Sequence, residues 1–367
     1  MGCIPELGVY LHFPWCRKVC PYCDFAVTTG APDHERYLEA LLAELAARAP
    51  KFSGDLVSIY FGGGTPSLWE PDCIARAIAA IRSTFGDRHL REVTLEANPI
   101  DCARYNCARW KSAGVTRLSI GVQSLVPDEL VVLGRDHRFG DGPQAVQTAL
   151  AEGGLDISCD AIMGTPIAGR TPDFETIDAL AGLDHLSVYE LTIEERTSFG
   201  ARVRDGRLIP LDDDVLAQLY TDVHERLVAA GFEHYEISSY ARPGKRAVHN
   251  SLYWQCAPFL GLGVGAASLE LDGAGGGIRA TNPRKVADYY AGVSAEVVVS
   301  SPAELAAERA WLGMRTSDGV AEDALTAEIV RWLLDEGLAT RSAGRICPTL
   351  RGFLLSNRIA ARIAEAL

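Results

Sequence analysis

Three of the ten cysteines lie close together near the start of the chain, whereas the others are scattered. Cys16, Cys20 and Cys23 have the spacing Cys-x3-Cys-x2-Cys and directly follow the apolar run Gly8–His12. Three thiolates on one tight loop suit a [4Fe–4S] cluster, because three irons then take protein ligands and the fourth stays open for a small ligand. The spacing therefore predicts an iron–sulfur site in a reducing compartment.

Two other interpretations of these cysteines stay open from the residues alone. A zinc site would need a fourth Cys or His at a compatible spacing, and His12 is near enough to be considered. Its place in a strand before the loop favours a pocket or core residue instead. The three thiols could also be unrelated reduced cysteines.

The elements that must position this loop form a regular alternation of strands and helices. The predicted strands are Gly8–His12, Leu56–Phe61, Glu92–Glu96, Thr116–Gly121, Asp156–Ile162 and His185–Leu191. The predicted helices are Asp33–Arg48, Asp72–Phe85, Asp101–Ser112, Gln144–Glu152 and Asp173–Leu180. Successive βα units predict an α/β fold with parallel strands and right-handed crossovers, as a barrel or a doubly wound sheet.

Both architectures place their chemistry at the carboxyl ends of the strands. Residues suited to binding stand at these ends, in the segments 62–66 (GGGTP), 96–99 (EANP), 123–124 (QS), 164–166 (GTP) and 190–192 (ELT). Taken alone, a glycine run after a strand predicts only a turn.

The second half of the chain is less regular. After the helix Asp213–Ala230 come the stretch Phe232–Tyr240, the uncharged run Ala247–Leu269 and the glycine-rich loop Asp272–Gly277, which is predicted to be a linker or hairpin tip. The uncharged run contains polar residues and proline, so we expect it to line a buried pocket rather than to cross a membrane. The last elements are the helices Ala303–Met314 and Ala324–Glu336, the hairpin Gly337–Pro348 and the helix Arg351–Ala366, an α-rich arrangement that resembles a winged helix.

Net charge and the first residues bear on partners and location. With 35 Lys and Arg against 48 Asp and Glu, the formal net charge is −13. Such a field repels phosphate backbones, so we expect no nucleic-acid partner. The start MGCIPELGVY has neither the basic region nor the apolar region of a signal peptide, which predicts a cytoplasmic protein.

The cysteine spacing, with the aromatic Tyr22 before the last cysteine, resembles the hallmark of radical S-adenosylmethionine (SAM) proteins. The resemblance implies a [4Fe–4S] cluster whose open iron chelates the amino and carboxylate groups of SAM. It further implies that one electron from the cluster cleaves SAM to methionine and a 5′-deoxyadenosyl radical. The GGGTP run is similar to the glycine element that accepts the amino end of SAM in this family.

Within that superfamily the chain resembles the oxygen-independent coproporphyrinogen III oxidase group over nearly its whole length. The matching motifs imply that the SAM site is formed by Tyr10, Tyr22, Gly63, Gly64, Thr65, Glu96, Gln123, Arg135 and Asp160. Elementary chemistry agrees with several of these assignments. A carboxylate such as Glu96 or Asp160 can accept from an ammonium or a ribose hydroxyl, and Arg135 can form a forked pair with a carboxylate.

Two features favour the HemW-type heme chaperone branch of this group. Members with oxidase activity resemble Cys-x3-Cys-x2-Cys-x-Cys and have a longer segment before the cysteines, whereas this chain has Phe25 in the fourth position. The branch is further marked by His-Asn-x-x-Tyr-Trp, present here at 249–254, which implies His249 as a heme ligand. One departure is Ala267, where relatives have His.

The resemblance implies a partial (β/α)6 TIM-type barrel over residues 1–235, a heme-candidate segment and linker over 236–300, and a small helical domain over 301–367. The implied function is a heme chaperone that binds the cluster, SAM and heme and passes heme to acceptor hemoproteins, such as respiratory, membrane-associated enzymes. Its electron donor would be a flavodoxin or a ferredoxin. The alternatives are a coproporphyrinogen III oxidase and a structural zinc protein. Of the remaining cysteines, which are expected to pack in the core, Cys256 is a candidate heme neighbour.

Overall fold

The fold is described from a computed structural model, which covers residues 4–104, 107–167 and 174–366. Three features of the sequence analysis lie outside these ranges: Cys3, the middle of the predicted helix Asp101–Ser112, and the first residue of the predicted helix Asp173–Leu180.

The strands follow one another in two groups, a larger one up to residue 300 and a smaller one near the carboxyl end. In chain order they are β1 (Glu6–Phe13), β2 (Trp15–Cys16), β3 (Thr28–Thr29), β4 (Asp55–Gly63), β5 (Glu92–Ala97), β6 (Arg117–Gln123), β7 (Asp156–Met163), β8 (His185–Glu190), β9 (Glu233–Glu236), β10 (Ser239–Ala241), β11 (Phe259–Leu262), β12 (Ala267–Leu271), β13 (Gly277–Thr281), β14 (Glu296–Ser300), β15 (Val320–Ala321), β16 (Ala339–Ser342) and β17 (Arg345–Pro348).

Helices cover the sheet and form most of the carboxyl-terminal part. They are α1 (His34–Arg48), α2 (Pro71–Phe85), α3 (Pro99–Arg104), α4 (Cys107–Ala113), α5 (Pro127–Val132), α6 (Asp141–Glu152), α7 (Glu175–Leu180), α8 (Ser198–Arg204), α9 (Asp213–Ala229), α10 (Val248–Trp254), α11 (Val286–Tyr290), α12 (Pro302–Gly313), α13 (Ala327–Asp335), α14 (Leu350–Leu354) and α15 (Ser356–Ala366). No helix within the described ranges is long and apolar enough to cross a membrane.

Six parallel strands form the centre of a 12-stranded sheet, in the order β1-β4-β5-β6-β7-β8. This confirms the α/β prediction and all six predicted strands, and the arrangement is that of an open, partial (β/α)6 barrel. Side chains along each strand point alternately to the two faces of the sheet, which gives the barrel an outer and an inner face. In β1, Leu7, Val9 and Leu11 belong to the hydrophobic core shared with the helices, whereas Tyr10 points the other way. That opposite face, the interior of the barrel, is lined largely by polar side chains.

The predicted helices are found with small differences in their bounds. Asp33 caps α1 as expected, because its side chain accepts from the backbone N–H of Arg36 at 3.2 Å. The helix predicted over Asp101–Ser112 corresponds to α3 and α4, which lie on either side of residues outside the described ranges. The short helices α5 and α8 were not predicted, since six or seven residues give too little periodicity to detect.

Both edges of the sheet are extended beyond the barrel strands. On one side β11 pairs in parallel with β1, and β12, β13 and β14 follow in antiparallel order; on the other side β10 and β9 pair after β8. The glycine-rich loop Asp272–Gly277 joins β12 to β13, so the expected hairpin tip is confirmed. The uncharged run contains α10, in which His249 and Leu252 are buried, and the strand β11, which is buried throughout.

The carboxyl-terminal elements have a hydrophobic cluster of their own. Leu333 and Ile346 are fully buried in it, together with residues of α12, α13 and α15. The strands β15, β17 and β16 form a small antiparallel sheet, which confirms the predicted hairpin. The predicted last helix is interrupted at Leu355, which ends α14 before α15 begins.

Candidate cofactor site

A cavity of about 380 Å³ opens at the carboxyl ends of the parallel strands. This is the position at which α/β barrels place their chemistry. All of the residues predicted for the cluster and SAM sites line it except Tyr10: Cys16, Cys20, Tyr22, Cys23, Gly63, Gly64, Thr65, Glu96, Gln123, Arg135 and Asp160. Residues that are 144 positions apart in the sequence, Cys16 and Asp160, therefore share one pocket.

The cysteine loop is closed at its base and tightly turned within. Backbone pairing of β2 with β3 joins Trp15 to Thr28 and Cys16 to Thr29. Inside the loop, the N–H of Cys23 donates to the carbonyl of Cys20 at 3.1 Å. Main-chain contacts therefore close and turn the loop that carries the three thiols.

Burial and charge act in opposite directions on these thiols. Burial raises the pKa of Cys16 to about 11 and raises the pKa of Cys23 as well. The guanidinium of Arg135 opposes this effect, with its Nη1 3.6 Å from the sulfur of Cys20. Iron binding requires the thiolates, so cluster assembly must release protons from this loop.

The donor set fits a cluster with one open iron. The part of the chain that the structure describes contains no group of three or more His, Cys, Asp or Glu side chains that could hold a metal ion. A cubane differs from a single ion because each thiolate binds a different iron, so the thiols need not converge. The cavity wall includes three cysteines, no histidine, and Phe25 rather than a fourth cysteine.

Close contacts at the carboxyl end of β4 require glycine at positions 63 and 64. Gly63 has φ of 113°, and a Cβ there would lie 2.5 Å from the ring of His12. A Cβ on Gly64 would lie 2.8 Å from the carbonyl oxygen of Phe13. The backbone N–H groups of Gly64 and Thr65 donate to Phe13 and Trp15, which joins the turn to the start of the cysteine loop.

Two carboxylates enter the site from neighbouring parts of the barrel interior. Glu96 accepts from the hydroxyl of Tyr60 at 2.8 Å and from the backbone N–H of Gly63 at 3.2 Å. Asp160 accepts from the hydroxyl of Ser119 at 3.2 Å. Burial raises the pKa of Glu96 to about 7 and that of Asp160 to about 6. Both groups change charge near neutral pH, where each can accept from an ammonium or a hydroxyl.

Arg135 and Gln123 complete the wall opposite the glycine turn. Nη2 of Arg135 donates to the carbonyl of Gly121 at 3.0 Å, and its buried Nε has no partner among the described residues. A buried donor without a partner is costly unless a ligand satisfies it. Gln123 has φ of 64°, a left-handed conformation that is uncommon away from glycine and recurs at binding sites.

Tyr10 lies inside the barrel but does not line the cavity. Its hydroxyl lies 3.1 Å from Nδ1 of His12, and its ring stacks on Tyr60 with 6.0 Å between the centroids. Nε2 of His12 in turn donates to the carbonyl of Ala26 at 2.9 Å, and burial lowers the pKa of His12 to about 4. The expectation that His12 is a pocket or core residue agrees with this placement.

His249 lies outside the cavity, on α10. It is 1% exposed, and both ring nitrogens are engaged: Nδ1 lies 2.8 Å from the hydroxyl of Ser58 and Nε2 2.8 Å from that of Tyr253. Burial lowers its pKa to about 3, so the imidazole is neutral. Glu92 at the amino end of β5 accepts from the backbone N–H of Val248 and of His249. These contacts place α10 at the opposite end of the barrel from the cysteine loop.

Tyr60 and Ser119 contact the two carboxylates and were not identified from the sequence. A signal was present, since alternation along β4 places Tyr60 on the same face as Gly62 of the glycine turn. Ala267, the departure noted from the resemblance, is exposed at the start of β12. Cys256 is buried beside Phe259 in a small hydrophobic cluster.

A partial barrel with a three-cysteine loop after its first strand and a glycine turn after its second is the architecture of a radical SAM protein. The sequence profile of the Radical SAM superfamily matches residues 10–193. Heme chaperone HemW of Mycobacterium tuberculosis (strain ATCC 25618 / H37Rv) is 41% identical over 71% of this chain and 68% of its own length. Heme chaperone HemW of Escherichia coli (strain K12) is 35% identical over 72% and 70%. The chain belongs to the HemW branch of the radical SAM superfamily.

A solved structure extends the likeness in fold to the whole chain. Coproporphyrinogen III oxidase (HemN) from Escherichia coli, described as a radical SAM enzyme, superimposes with a TM-score of 0.79 over 99% of this chain and 91% of that chain. The two sequences are 22% identical, so this likeness concerns the fold alone. It includes the carboxyl-terminal helical part as well as the barrel.

Proposed function

We propose that this protein is a heme chaperone that binds a [4Fe–4S] cluster, SAM and heme and transfers heme to acceptor hemoproteins. Its membership of the HemW branch carries the proposal, since the two relatives above are named heme chaperones. The cavity supports the cofactor part, because it combines three thiols, two carboxylates and an arginine with an unpartnered donor.

Cys16, Cys20 and Cys23 are the proposed cluster ligands. When bound, the cluster supplies one electron for the reductive cleavage of SAM. Arg135 has two roles in this arrangement: its Nη1 lies 3.6 Å from the sulfur of Cys20, and its guanidinium lines the cavity, where it can pair with a carboxylate of a ligand. Glu96 and Asp160 are placed to accept from the ammonium or hydroxyl groups of that ligand.

The heme part of the proposal rests on the segment that contains His249, Tyr253 and Trp254. A neutral imidazole is a good iron ligand, and burial keeps that of His249 neutral. Binding through either ring nitrogen would break its hydrogen bond to Ser58 or Tyr253. A heme ligand at this position therefore requires α10 to shift.

The remaining parts of the proposal concern partners and location. The acceptors would include respiratory, membrane-associated hemoproteins, and the electron donor would be a flavodoxin or a ferredoxin. A cytoplasmic location fits the cysteines that the structure describes, which are unpaired, because thiols stay reduced in that compartment.

A transfer experiment tests the proposal. The protein is reconstituted anaerobically with iron and sulfide, loaded with heme, and mixed separately with an apo respiratory cytochrome and with apomyoglobin, following the Soret band of each acceptor. Heme transfer to apomyoglobin reports the rate at which heme dissociates passively from the protein. We expect the apo cytochrome to take up heme faster than that rate. Equal rates to both acceptors would contradict a chaperone.

The same preparation distinguishes the oxidase alternative. Dithionite, SAM and coproporphyrinogen III are supplied together, and the products are separated by chromatography. We expect no protoporphyrinogen, since Phe25 stands where the oxidases have a further cysteine. Stoichiometric protoporphyrinogen would replace the chaperone proposal by an enzymatic one.

A further inference from the structure

Two hydrogen-bond donors hold the carboxylate of Glu96, and one of them, Gly63, lines the cavity whereas the other, Tyr60, does not. Its Oε1 accepts from the hydroxyl of Tyr60 at 2.8 Å, and its Oε2 accepts from the backbone N–H of Gly63 at 3.2 Å. One donor on each oxygen fixes the plane of the carboxylate. The Gly63 donor belongs to the glycine turn, whereas the Tyr60 donor comes from beneath the cavity.

Tyr60 itself packs against two other rings inside the barrel. Its ring stacks on that of Tyr10 at 6.0 Å, with 24° between the planes, and on that of His249 at 4.9 Å, with 29° between the planes. Such offset stacks fix the direction in which the hydroxyl points. His249 cannot move freely, because both of its nitrogens are hydrogen-bonded.

Gly62 provides the space for this arrangement. Its φ is not in the left-handed region, so backbone conformation does not require glycine there. A Cβ at this position would lie 2.8 Å from the ring of Tyr10, 2.9 Å from the ring of Tyr60 and 3.1 Å from Oε1 of Glu96. The first glycine of GGGTP therefore allows two rings and a carboxylate to meet.

We infer that Tyr60 is a positioning residue for the SAM site, which orients the carboxylate of Glu96 and stabilises its charged form from the interior of the barrel. The inference rests on the SAM site of the proposed function and not on heme transfer. Burial disfavours the charged carboxylate, and the Tyr60 hydroxyl opposes that effect. Without this donor, the pKa of Glu96 would rise above its value of about 7.

Titratable groups on five neighbouring elements face Glu96. They are Tyr10 on β1, Tyr60 on β4, Asp160 on β7, Tyr189 on β8 and Tyr253 on α10. Burial raises the pKa of each of these tyrosines, so all four stay neutral near pH 7. Asp160, with a pKa of about 6, is the group among them that also titrates in this range.

The test is the affinity for SAM between pH 5.5 and 8.5, measured by equilibrium binding to the anaerobically reconstituted protein. Since SAM binding uses the carboxylate, we expect affinity to fall as the pH is lowered through about 7. Tyr60→Phe removes one hydrogen bond to a charged group. We expect it to weaken SAM about ten-fold at pH 7 and to move the midpoint to higher pH.

Two further variants make the result specific. Tyr240→Phe is the matched control, because the buried hydroxyl of Tyr240 has no partner among the described residues and lies on β10, away from the cavity. It should leave SAM affinity and its pH midpoint unchanged. In a Glu96→Gln background, Tyr60→Phe should cause no further shift of the midpoint, and Asp160→Asn should retain the Tyr60 effect.

Iron and sulfide analysis of each variant establishes that the cluster is present before SAM is added. The inference is overturned if Tyr60→Phe keeps the affinity and midpoint of the unmodified chain. It is also overturned if Tyr60→Phe weakens SAM equally in the Glu96→Gln background, since Tyr60 would then act through packing alone. Heme transfer is measured separately, so its failure leaves this result intact.

Discussion

Arg135 brings a positive charge to the cysteine loop from a different part of the chain. Its Nη1 lies 3.6 Å from the sulfur of Cys20, while its Nη2 is fixed by the carbonyl of Gly121. The guanidinium therefore lies beside one of the three thiols of the loop. The loop itself is held by backbone contacts, so replacing this sulfur should not disturb it.

Cys20→Ser should therefore lose the cluster while keeping the fold. A hydroxyl is a poor ligand for this iron site, and neither the β2–β3 pairing nor the barrel core contains the Cys20 side chain. The measurement is visible absorbance with iron and sulfide analysis after anaerobic reconstitution, beside a circular dichroism spectrum. Cys347→Ser, on β17 in the carboxyl-terminal sheet, is the control that should keep full absorbance. Full absorbance in Cys20→Ser would remove Cys20 from the ligand set.

Individual residues differ in how much of their role could be predicted from sequence. The cysteines and the residues of the glycine turn could be identified, because their chemistry depends on local spacing. His249 illustrates what could not: its partner Ser58 lies 191 positions away, so no local pattern indicates that both ring nitrogens are already engaged. Tyr60 was missed for the same reason, since its bond to Glu96 spans 36 positions.

At the scale of elements, α10 is joined to the barrel by its first residues and by one side chain. Glu92 accepts from the backbone N–H of Val248 at 2.9 Å and of His249 at 3.0 Å, which satisfies donors that a helix start leaves free. The His249 ring then joins Ser58 on β4 to Tyr253, one turn further along the helix. Strand elements were predictable because their apolar runs are buried on one face, whereas this docking is formed by polar contacts.

His249→Ala should destabilise the protein whether or not heme is bound. It leaves the hydroxyls of Ser58 and Tyr253 without a partner in the interior, so we expect the free energy of unfolding to fall by about 2–4 kcal/mol. Urea denaturation of the heme-free protein measures this loss of unfolding free energy. An unchanged midpoint would contradict this account of α10.

Ser58→Ala is the matched variant, because it removes the Nδ1 partner while keeping the imidazole. If His249 ligates heme, Ser58→Ala should keep the Soret band and His249→Ala should lose it. A Soret band that is unchanged in His249→Ala would exclude His249 as the ligand and leave it a structural role.

At the scale of the whole molecule, the two largest hydrophobic clusters of the described residues are unequal in size. The larger cluster fills the space between the barrel strands and their helices, and the smaller one lies within α12, α13, α15 and the strands next to them. The two parts still meet: Phe353 of α14 belongs to the larger cluster and lies 4.8 Å from the ring of His234, and Arg246 pairs with Asp318 at 3.0 Å. The small cluster therefore supports its own elements, while Phe353 of α14, the Arg246–Asp318 pair and Leu305 of α12, which packs with Phe259 of β11, attach them to the barrel part.

Leu333→Ala tests this division. Leu333 is fully buried in the small cluster, so the substitution should cost about 2–5 kcal/mol there and leave the cavity unaffected. Hydrogen exchange followed by mass spectrometry should show faster exchange over residues 302–366, with protection of the barrel strands and SAM affinity unchanged. Leu118→Ala, at an equally buried position of β6, is the control and should loosen the barrel and weaken SAM together. Faster exchange in the barrel strands of Leu333→Ala would mean that the two clusters unfold as one unit, because the contacts through Phe353 and Arg246 would then be strong enough to couple them.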